Sequence, residues 1–196
     1  MAFDLIHISD PQTVPAGKIN FDIDPQQRLR SCVDALLKEC SNADACFITG
    51  DLTHWAEQAA YDVLLQELSR LPMPVYMMMG NHDSRAIFLA TFPGHPVDSH
   101  GFIQYSMIIP EGKLICLDTL DEGKRGGLLC RKRLQWLTKE LSTGDAFYLF
   151  MHHPPFKVGL PSMDDDGLAN ADEFLACLKP YKVRSNIYSL GTCIDR

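Results

Sequence analysis

Four short apolar runs along the chain are each followed at once by side chains that can bind metal ions. The four polar stretches are Ser9-Asp10-Pro11-Gln12, Gly50-Asp51, Gly80-Asn81-His82-Asp83 and His152-His153-Pro154-Pro155. Apolar runs of this length predict buried strands, and the helical periodicity between them predicts β-α-β connections. Because ligands bind at the carboxyl edge of an open α/β sheet, we expect these polar side chains to meet at one such edge.

The rest of the chain supports this α/β interpretation. Strands are predicted over residues 3–8, 45–49, 75–79, 102–109, 113–118 and 147–151, with the fourth and fifth forming a hairpin. Helices are predicted over residues 25–40, 57–68, 84–92, 131–141 and 171–179. No repeat or linker interrupts the series, which favours one domain.

Composition limits the classes of function. The chain has 196 residues, 46% of them hydrophobic, and a formal net charge of -7. That length allows a substantial core, while the acidic balance disfavours nucleic acid and anionic membranes as partners, since Lys and Arg clusters hold those surfaces. The seven cysteines show no Cys-x-x-Cys spacing, and the sequence contains no secretion signal or membrane-spanning stretch. A cytoplasmic location is therefore predicted.

Each motif also has an ordinary interpretation. Asp10 could cap a loop, and a single histidine such as His152 is more often a hydrogen-bonded core residue. The stretch from Gly80 to Asp83 is the most informative, because it places an amide, an imidazole and a carboxylate behind a permissive glycine. Agreement among four strand ends favours metal ligation over four unrelated loops.

On these motifs the chain resembles the calcineurin-like metallophosphoesterase superfamily, and within it the bacterial class III cyclic-nucleotide phosphodiesterases and glycerophosphodiesterases. The resemblance implies a four-layer αββα sandwich with two divalent metal ions, chosen from Mn, Fe, Zn and Mg, between the strand ends. It implies that Asp10 and Gln12 bind the first ion, that Asp51 bridges both, and that Asn81 and His152 bind the second.

The same resemblance implies the chemistry. A metal-activated water would hydrolyse a small phosphodiester, of the cyclic-nucleotide or glycerophosphodiester class. His82 would contact the phosphate or assist the leaving group, and Asp83 or Asp51 would hold its tautomer. His153 is predicted to contact substrate. His54 could line the pocket, although a surface position is the simpler expectation.

The chain departs from the superfamily pattern in two places. Gln12 stands where the pattern has histidine, and an amide oxygen is a poorer donor than imidazole for iron or zinc, so we expect weaker binding of the first ion. The closing Gly-His-x-His motif, with one ligand for each ion, does not occur in residues 185–196. We therefore expect missing C-terminal strands of the second sheet and reduced occupancy of the second ion. An uncovered sheet edge would invite association.

One choice of codons for residues 185–196 encodes Gly-His-Val-His in another reading frame, which leads to the hypothesis of an out-of-frame tail. A natural short variant is the alternative. The sequence thus predicts one metallophosphoesterase domain over residues 1–196, truncated at its C-terminus, with a small-molecule substrate; the resemblance also allows a homodimer. The alternative functions are an inactive or weakly metal-binding remnant and, disfavoured by the lack of a basic stripe, a nuclease.

Overall fold

Two β-sheets face each other in the computed structural model of the chain, which describes residues 2–144, 146–181 and 183–188. The strands are β1 (Leu5–Ile8), β2 (Ala45–Thr49), β3 (Val75–Met78), β4 (Tyr105–Ile109), β5 (Gly112–Cys116), β6 (Phe147–Met151) and β7 (Val183–Tyr188). The first sheet has the order β1-β2-β3 and is parallel. The second has the order β4-β5-β6-β7, with β4 antiparallel to β5 and the remaining pairs parallel.

Helices connect the strands and cover the outer faces of both sheets. They are α1 (Pro25–Glu39), α2 (Gln58–Leu68), α3 (Arg85–Thr91), α4 (Arg131–Leu141), α5 (Pro161–Asp164) and α6 (Ala171–Leu178). The start of α1 follows from its sequence, because the Asp24 side chain accepts the Gln27 N–H and Pro25 occupies the first turn. Helices α1, α2 and α3 pack on the first sheet, and α4 and α6 pack on the second.

Strand β2 shows how the layers are built, because all five of its residues are buried. Cys46 and Ile48 face the helices of the first sheet, whereas Phe47 faces the second sheet, as the alternation of a strand requires. Phe47 stacks on Phe150 of β6, with ring centroids 5.2 Å apart. A core therefore lies between the sheets as well as under each helical layer, and the predicted four-layer αββα sandwich is confirmed.

The predicted helices and strands are all present, with small differences at their ends. The hairpin between β4 and β5 pairs Ile109 with Gly112 around the predicted turn. Two elements were not predicted from the sequence, α5 and β7. Residues 185–188 of the predicted out-of-frame tail lie in β7, and residues 189–196 lie outside the described part of the chain. The single truncated domain and its tail stay predictions.

Among the helices of the described residues, none combines the length and the apolar character needed to cross a membrane.

Candidate metal centre

The four polar motifs meet between the two sheets, at the carboxyl ends of their strands. Asp10 follows β1, Asp51 follows β2, Asn81 follows β3 and His152 follows β6. One ligand atom from each of Asp10, Asp51 and His152 lies within 4.8 Å of the others. Both sheets therefore contribute to one site, which explains why the motifs are spread over most of the chain.

The backbone at the first two strand ends takes an uncommon conformation. Asp10, Gln12 and Asp51 have positive φ angles of 51°, 44° and 46°. A left-handed backbone is uncommon for residues other than glycine, costs free energy, and tends to be retained at functional sites. These turns redirect the chain just past the sheet.

The loops after β1 and β2 run side by side beyond the last strand residues. Gln12 N–H donates to the Asp51 carbonyl at 2.9 Å, and Thr13 N–H donates to the Leu52 carbonyl at 3.0 Å. His54 N–H donates to the Thr13 carbonyl at 3.0 Å, completing a parallel bridge between Thr13 and Thr53. The positions of residues 10–13 are thereby fixed relative to residues 51–54.

Two glycines let the ligands approach the backbone closely. A Cβ atom on Gly50 would lie 2.3 Å from His152 Nδ1, and a Cβ atom on Gly80 would lie 2.1 Å from Asp51 Oδ1. Gly50 also has a φ of 93°, which other residues rarely adopt. A side chain at either position would occupy space that the candidate ligands need.

The imidazole of His152 is oriented by the neighbouring strand. Its Nδ1 lies 3.0 Å from the Thr49 carbonyl, which can only accept, so Nδ1 carries the proton and Nε2 presents its lone pair. Nε2 lies 3.3 Å from both Asn81 Oδ1 and Asp51 Oδ1. Burial disfavours a charged His152, but the carboxylates of Asp51 and Asp10 outweigh it, so the pKa of His152 is raised.

These residues fit a divalent cation. Asp51, Asn81 and His152 bring a carboxylate oxygen, an amide oxygen and an imidazole nitrogen close together, and Asp10 adds a second carboxylate. Mixed oxygen and nitrogen donors of this kind suit Mg, Mn, Fe or Zn. The carboxylates of Asp51 and Asp10, which raise the pKa of His152, would also attract a cation in place of the proton.

Gln12 is turned differently from a metal ligand. Its amide Nε2 donates to Asp51 Oδ2 at 3.0 Å, and its Oε1 accepts from His54 Nδ1 at 2.6 Å. The amide oxygen, which is the atom that would bind a cation, thus faces His54.

His82 lies at the open side of the site. Its Nδ1 donates to the His54 carbonyl at 2.7 Å, so the tautomer is set by a backbone carbonyl rather than by Asp83 or Asp51. Its Nε2 lies 4.0 Å from Asp51 Oδ2, and 29% of the side chain is exposed. Nε2 is therefore the ring atom that a substrate could reach.

Asp83 is buried behind the loops. Its carboxylate accepts the backbone N–H groups of Leu52, Thr53 and Gly80 and the hydroxyl of Tyr61. Burial and the nearby Asp51 carboxylate raise the pKa of Asp83 to about 6, against the lowering effect of the three N–H groups. The structure places Asp83 where it joins the loops after β2 and β3, and does not bring it against His82 Nε2.

His153 is not brought to the site either. The residue is 2% exposed, its Nε2 donates to the Arg125 carbonyl at 3.1 Å, and its Nδ1 accepts from the Thr119 hydroxyl at 2.7 Å. Burial, assisted by the neighbouring His152, lowers the pKa of His153 to about 3. The ring is a neutral, hydrogen-bonded part of the interior, with both nitrogens occupied.

His54 lies beside Gln12 and His82, whereas the sequence favoured a position on the surface. Its ring is half-buried, stacks on His82 with centroids 5.0 Å apart, and has edge contacts with the exposed rings of Phe21 and Trp55. Burial and the nearby His82 lower the pKa of His54, against the opposing effect of Asp51. Its position three residues after Asp51 was the available sequence signal.

A cavity of about 230 Å³ opens beside Asp10 and Gln12. Phe21, Ile23 and Arg28 form part of its wall. The candidate metal ligands therefore border a space large enough for a small organic group.

The chain is similar to known proteins over most of its length. Residues 3–187 match the family model described as calcineurin-like phosphoesterase. A probable cyclic nucleotide phosphodiesterase of Rhodopseudomonas palustris is 39% identical over 170 residues, covering 84% of this chain and 62% of that protein. A probable glycerophosphodiester phosphodiesterase of Arcobacter nitrofigilis is 28% identical, covering 89% of this chain and 65% of that protein.

A solved structure shares the fold. A purple acid phosphatase from yellow lupin seeds superposes with a TM-score of 0.67 at 14% identity, covering 94% of this chain and 37% of that chain. The present chain spans a little under two thirds of the length of the two curated relatives above.

Proposed function

Because this chain belongs to the calcineurin-like phosphoesterase family, we propose that it carries the metal-binding core of a hydrolase acting on small phosphodiesters. The observation that supports this most directly is the convergence of Asp10, Asp51 and His152, whose ligand atoms lie within 4.8 Å of one another, with Asn81 beside them. Four strand ends from two sheets supply these side chains.

The cation would be held first by Asp51, Asn81 and His152. A divalent cation there supplies Lewis acidity, since it withdraws charge from a phosphate oxygen and lowers the pKa of water beside it. The prediction of two ions, from Mn, Fe, Zn and Mg, places the other beside Asp10 and Asp51. His152 contributes an oriented lone pair, because the Thr49 carbonyl holds the proton at Nδ1.

His82 is proposed as the residue that contacts the substrate phosphate and the leaving oxygen. Its Nδ1–H is committed to the His54 carbonyl, so any proton exchanged with substrate passes through Nε2. We propose that Asp83 acts as a positioning residue, because its carboxylate joins backbone N–H groups at two strand ends. His153 supports this region from within the core, by its hydrogen bonds to Thr119 and Arg125.

The substrate class follows from the relatives and from the cavity. One relative bears the name of a cyclic nucleotide phosphodiesterase and another that of a glycerophosphodiester phosphodiesterase. Both names describe an enzyme that acts on a small phosphodiester. A cavity of about 230 Å³ beside Asp10 could take one substituent on phosphorus. A cytoplasmic location, a homodimer and the absence of nucleic-acid and membrane partners stay predictions from the sequence.

Hydrolysis of bis(p-nitrophenyl) phosphate by the 196-residue chain tests the proposal. After chelation and dialysis, adding Mn²⁺ should restore turnover in the wild type and not in Asp51→Asn. His100→Gln is the matched control, since His100 is exposed and lies outside the four motifs. Cyclic AMP and a glycerophosphodiester, compared with p-nitrophenyl phosphate, would show whether diesters are preferred over monoesters.

Metal-independent turnover, or equal rates in the wild type and Asp51→Asn, would refute the proposal. Tight Mn²⁺ binding without turnover of any diester would instead favour the alternative, a metal-binding chain without activity.

A further inference from the structure

The amide of Gln12 has only one orientation that suits both of its neighbours. The Asp51 carboxylate, 3.0 Å from Nε2, can only accept, so the NH₂ end of the amide must face it. The Oε1 end then faces His54 Nδ1 at 2.6 Å, and Nδ1 must carry a proton. His82 extends the chain of contacts, since it donates to the His54 carbonyl and stacks on the His54 ring.

Coordination by Gln12 would require this arrangement to be reversed. A cation beside Asp51 Oδ2 would meet the amide N–H groups, which are positively polarised and carry no lone pair for a metal. Turning the amide over would aim its NH₂ at the protonated Nδ1 of His54, so that two donors face each other. The His54 proton would then have to move to the other ring nitrogen as well. Binding through Oε1 therefore costs two coupled changes.

We propose that Gln12 is a positioning residue rather than a metal ligand, and that this is why the described part of the chain holds one divalent cation tightly instead of two. This inference rests on the proposed function, which places a cation at the strand ends. The tight cation is bound by Asp51, Asn81 and His152, and Gln12 fixes the Asp51 carboxylate at Oδ2, whereas Oδ1 faces His152. Through His54, Gln12 also fixes the ring of His82.

Mn²⁺ titration of the 196-residue chain tests the proposal, with stoichiometry and affinity from calorimetry and spin coupling from electron paramagnetic resonance. Gln12→Gly deletes the side chain at a φ of 44° that glycine tolerates, and Gln12→His supplies an imidazole. We expect the wild type to bind one Mn²⁺ tightly. A further Mn²⁺, beside Asp10, should bind weakly and with the same affinity in the wild type and in Gln12→Gly. Gln12→His should bind the further ion, beside Asp10, about 10–100-fold more tightly and show spin coupling.

Opposite results would overturn the proposal. These are two tight ions in the wild type, a second ion bound at least about tenfold more weakly by Gln12→Gly than by the wild type, or no gain in Gln12→His. The side-chain amide of Gln12 gives an independent measurement in ¹⁵N and ¹³C spectra. With Mg²⁺ in excess its protons should stay protected and its carbonyl carbon should not shift, whereas a large carbonyl shift indicates ligation.

The hydrolysis assay separates failure of this inference from failure of the proposed function. One tight Mn²⁺ without diester hydrolysis would remove the function and leave the role of Gln12 standing. Metal-dependent hydrolysis with two tightly bound ions would do the reverse.

Discussion

Replacing Asp83 with asparagine should destabilise the protein and weaken its cation site together. Oδ2 of Asp83 accepts the N–H groups of Leu52 and Gly80, at 3.1 and 2.9 Å, and Oδ1 accepts Thr53 N–H at 3.1 Å. Oδ1 also accepts the Tyr61 hydroxyl at 3.1 Å. An asparagine keeps one acceptor oxygen and replaces the other with an NH₂ donor.

The least costly orientation of the new amide sets the magnitude. With its oxygen toward Leu52 and Gly80, its NH₂ can donate to the hydroxyl oxygens of Thr53 and Tyr61, but the Thr53 N–H then faces a donor. One buried N–H without an acceptor costs about 1–3 kcal/mol, and removal of the charge whose burial raises the pKa of Asp83 offsets part of this cost. For a chain of this size the fall in Tm is therefore at most about 12 °C. The new NH₂ facing the Thr53 N–H would also displace the loop after β2, which should weaken Mn²⁺ binding by Asp51.

Asp98→Asn is the matched control. Asp98 is also a buried carboxylate that accepts backbone N–H groups, from His100 and Phe102, but its other oxygen accepts from the Gln104 amide. Gln104 can turn over and present its oxygen to the new NH₂, but its own NH₂ then occupies the place of an oxygen that has no hydrogen-bond partner among the described residues. Asp98→Asn should therefore lose about 1–3 kcal/mol of stability, as Asp83→Asn does, and leave Mn²⁺ affinity unchanged.

Urea unfolding and Mn²⁺ calorimetry on the two variants check this reasoning. If Asp83→Asn unfolds at the wild-type urea concentration, or loses stability with full Mn²⁺ affinity, the argument that Asp83 holds the two loops together is wrong.

Three further predictions concern pH, a close backbone contact and the substrate side of the site. Burial lowers the pKa of His95 to about 4 from 6.5, so between these pH values the unfolded chain binds a proton that the folded chain does not. The free energy of unfolding should therefore decrease as the pH falls from 6.5 to 4, by at most about 3 kcal/mol. Urea unfolding should show a smaller decrease in His95→Gln. Gly80→Ala should cost about 1–3 kcal/mol by overpacking and lower Mn²⁺ affinity, because its Cβ would lie 2.2 Å from Asp51 N, whereas the control Gly94→Ala meets no atom within 4 Å. His82→Gln should lower kcat for a diester about 10²–10⁴-fold while calorimetry shows unchanged Mn²⁺ affinity; an unchanged kcat would exclude contact with the leaving group.

Local sequence was sufficient to predict most strands and helices and the meeting of the motifs, whereas the four-layer arrangement was implied by the family resemblance. Parallel strands present their carboxyl ends at one edge, so an Asp after β1 and β2 and an Asn after β3 had to lie near one another. The helices other than α5 were recognisable from their apolar periodicity. Strand β7 was not predicted, because the polar residues Arg184, Ser185 and Asn186 interrupt the apolar pattern that identified the other strands.

Strand periodicity could have predicted which of the adjacent residues His152 and His153 faces the candidate site. Successive side chains of a strand face opposite sides, and Phe150 faces the first sheet whereas Met151 faces the outer helices. Continuing that alternation sends His152 toward the candidate site and His153 away from it, as the structure shows. The orientation of the Gln12 amide had no such signal, because it depends on His54, which tertiary hydrogen bonds bring beside it.

The side-by-side loops after β1 and β2 have a consequence for how a cation would be captured. Because Gln12, Thr13 and His54 donate their N–H groups as strand residues do, these amides should exchange with solvent deuterium as slowly as those inside the sheet. The ligand-bearing turns then need little ordering when a cation arrives. Loading should release heat without a large entropic penalty from the backbone, and exchange rates at residues 12–13 and 54 should barely change.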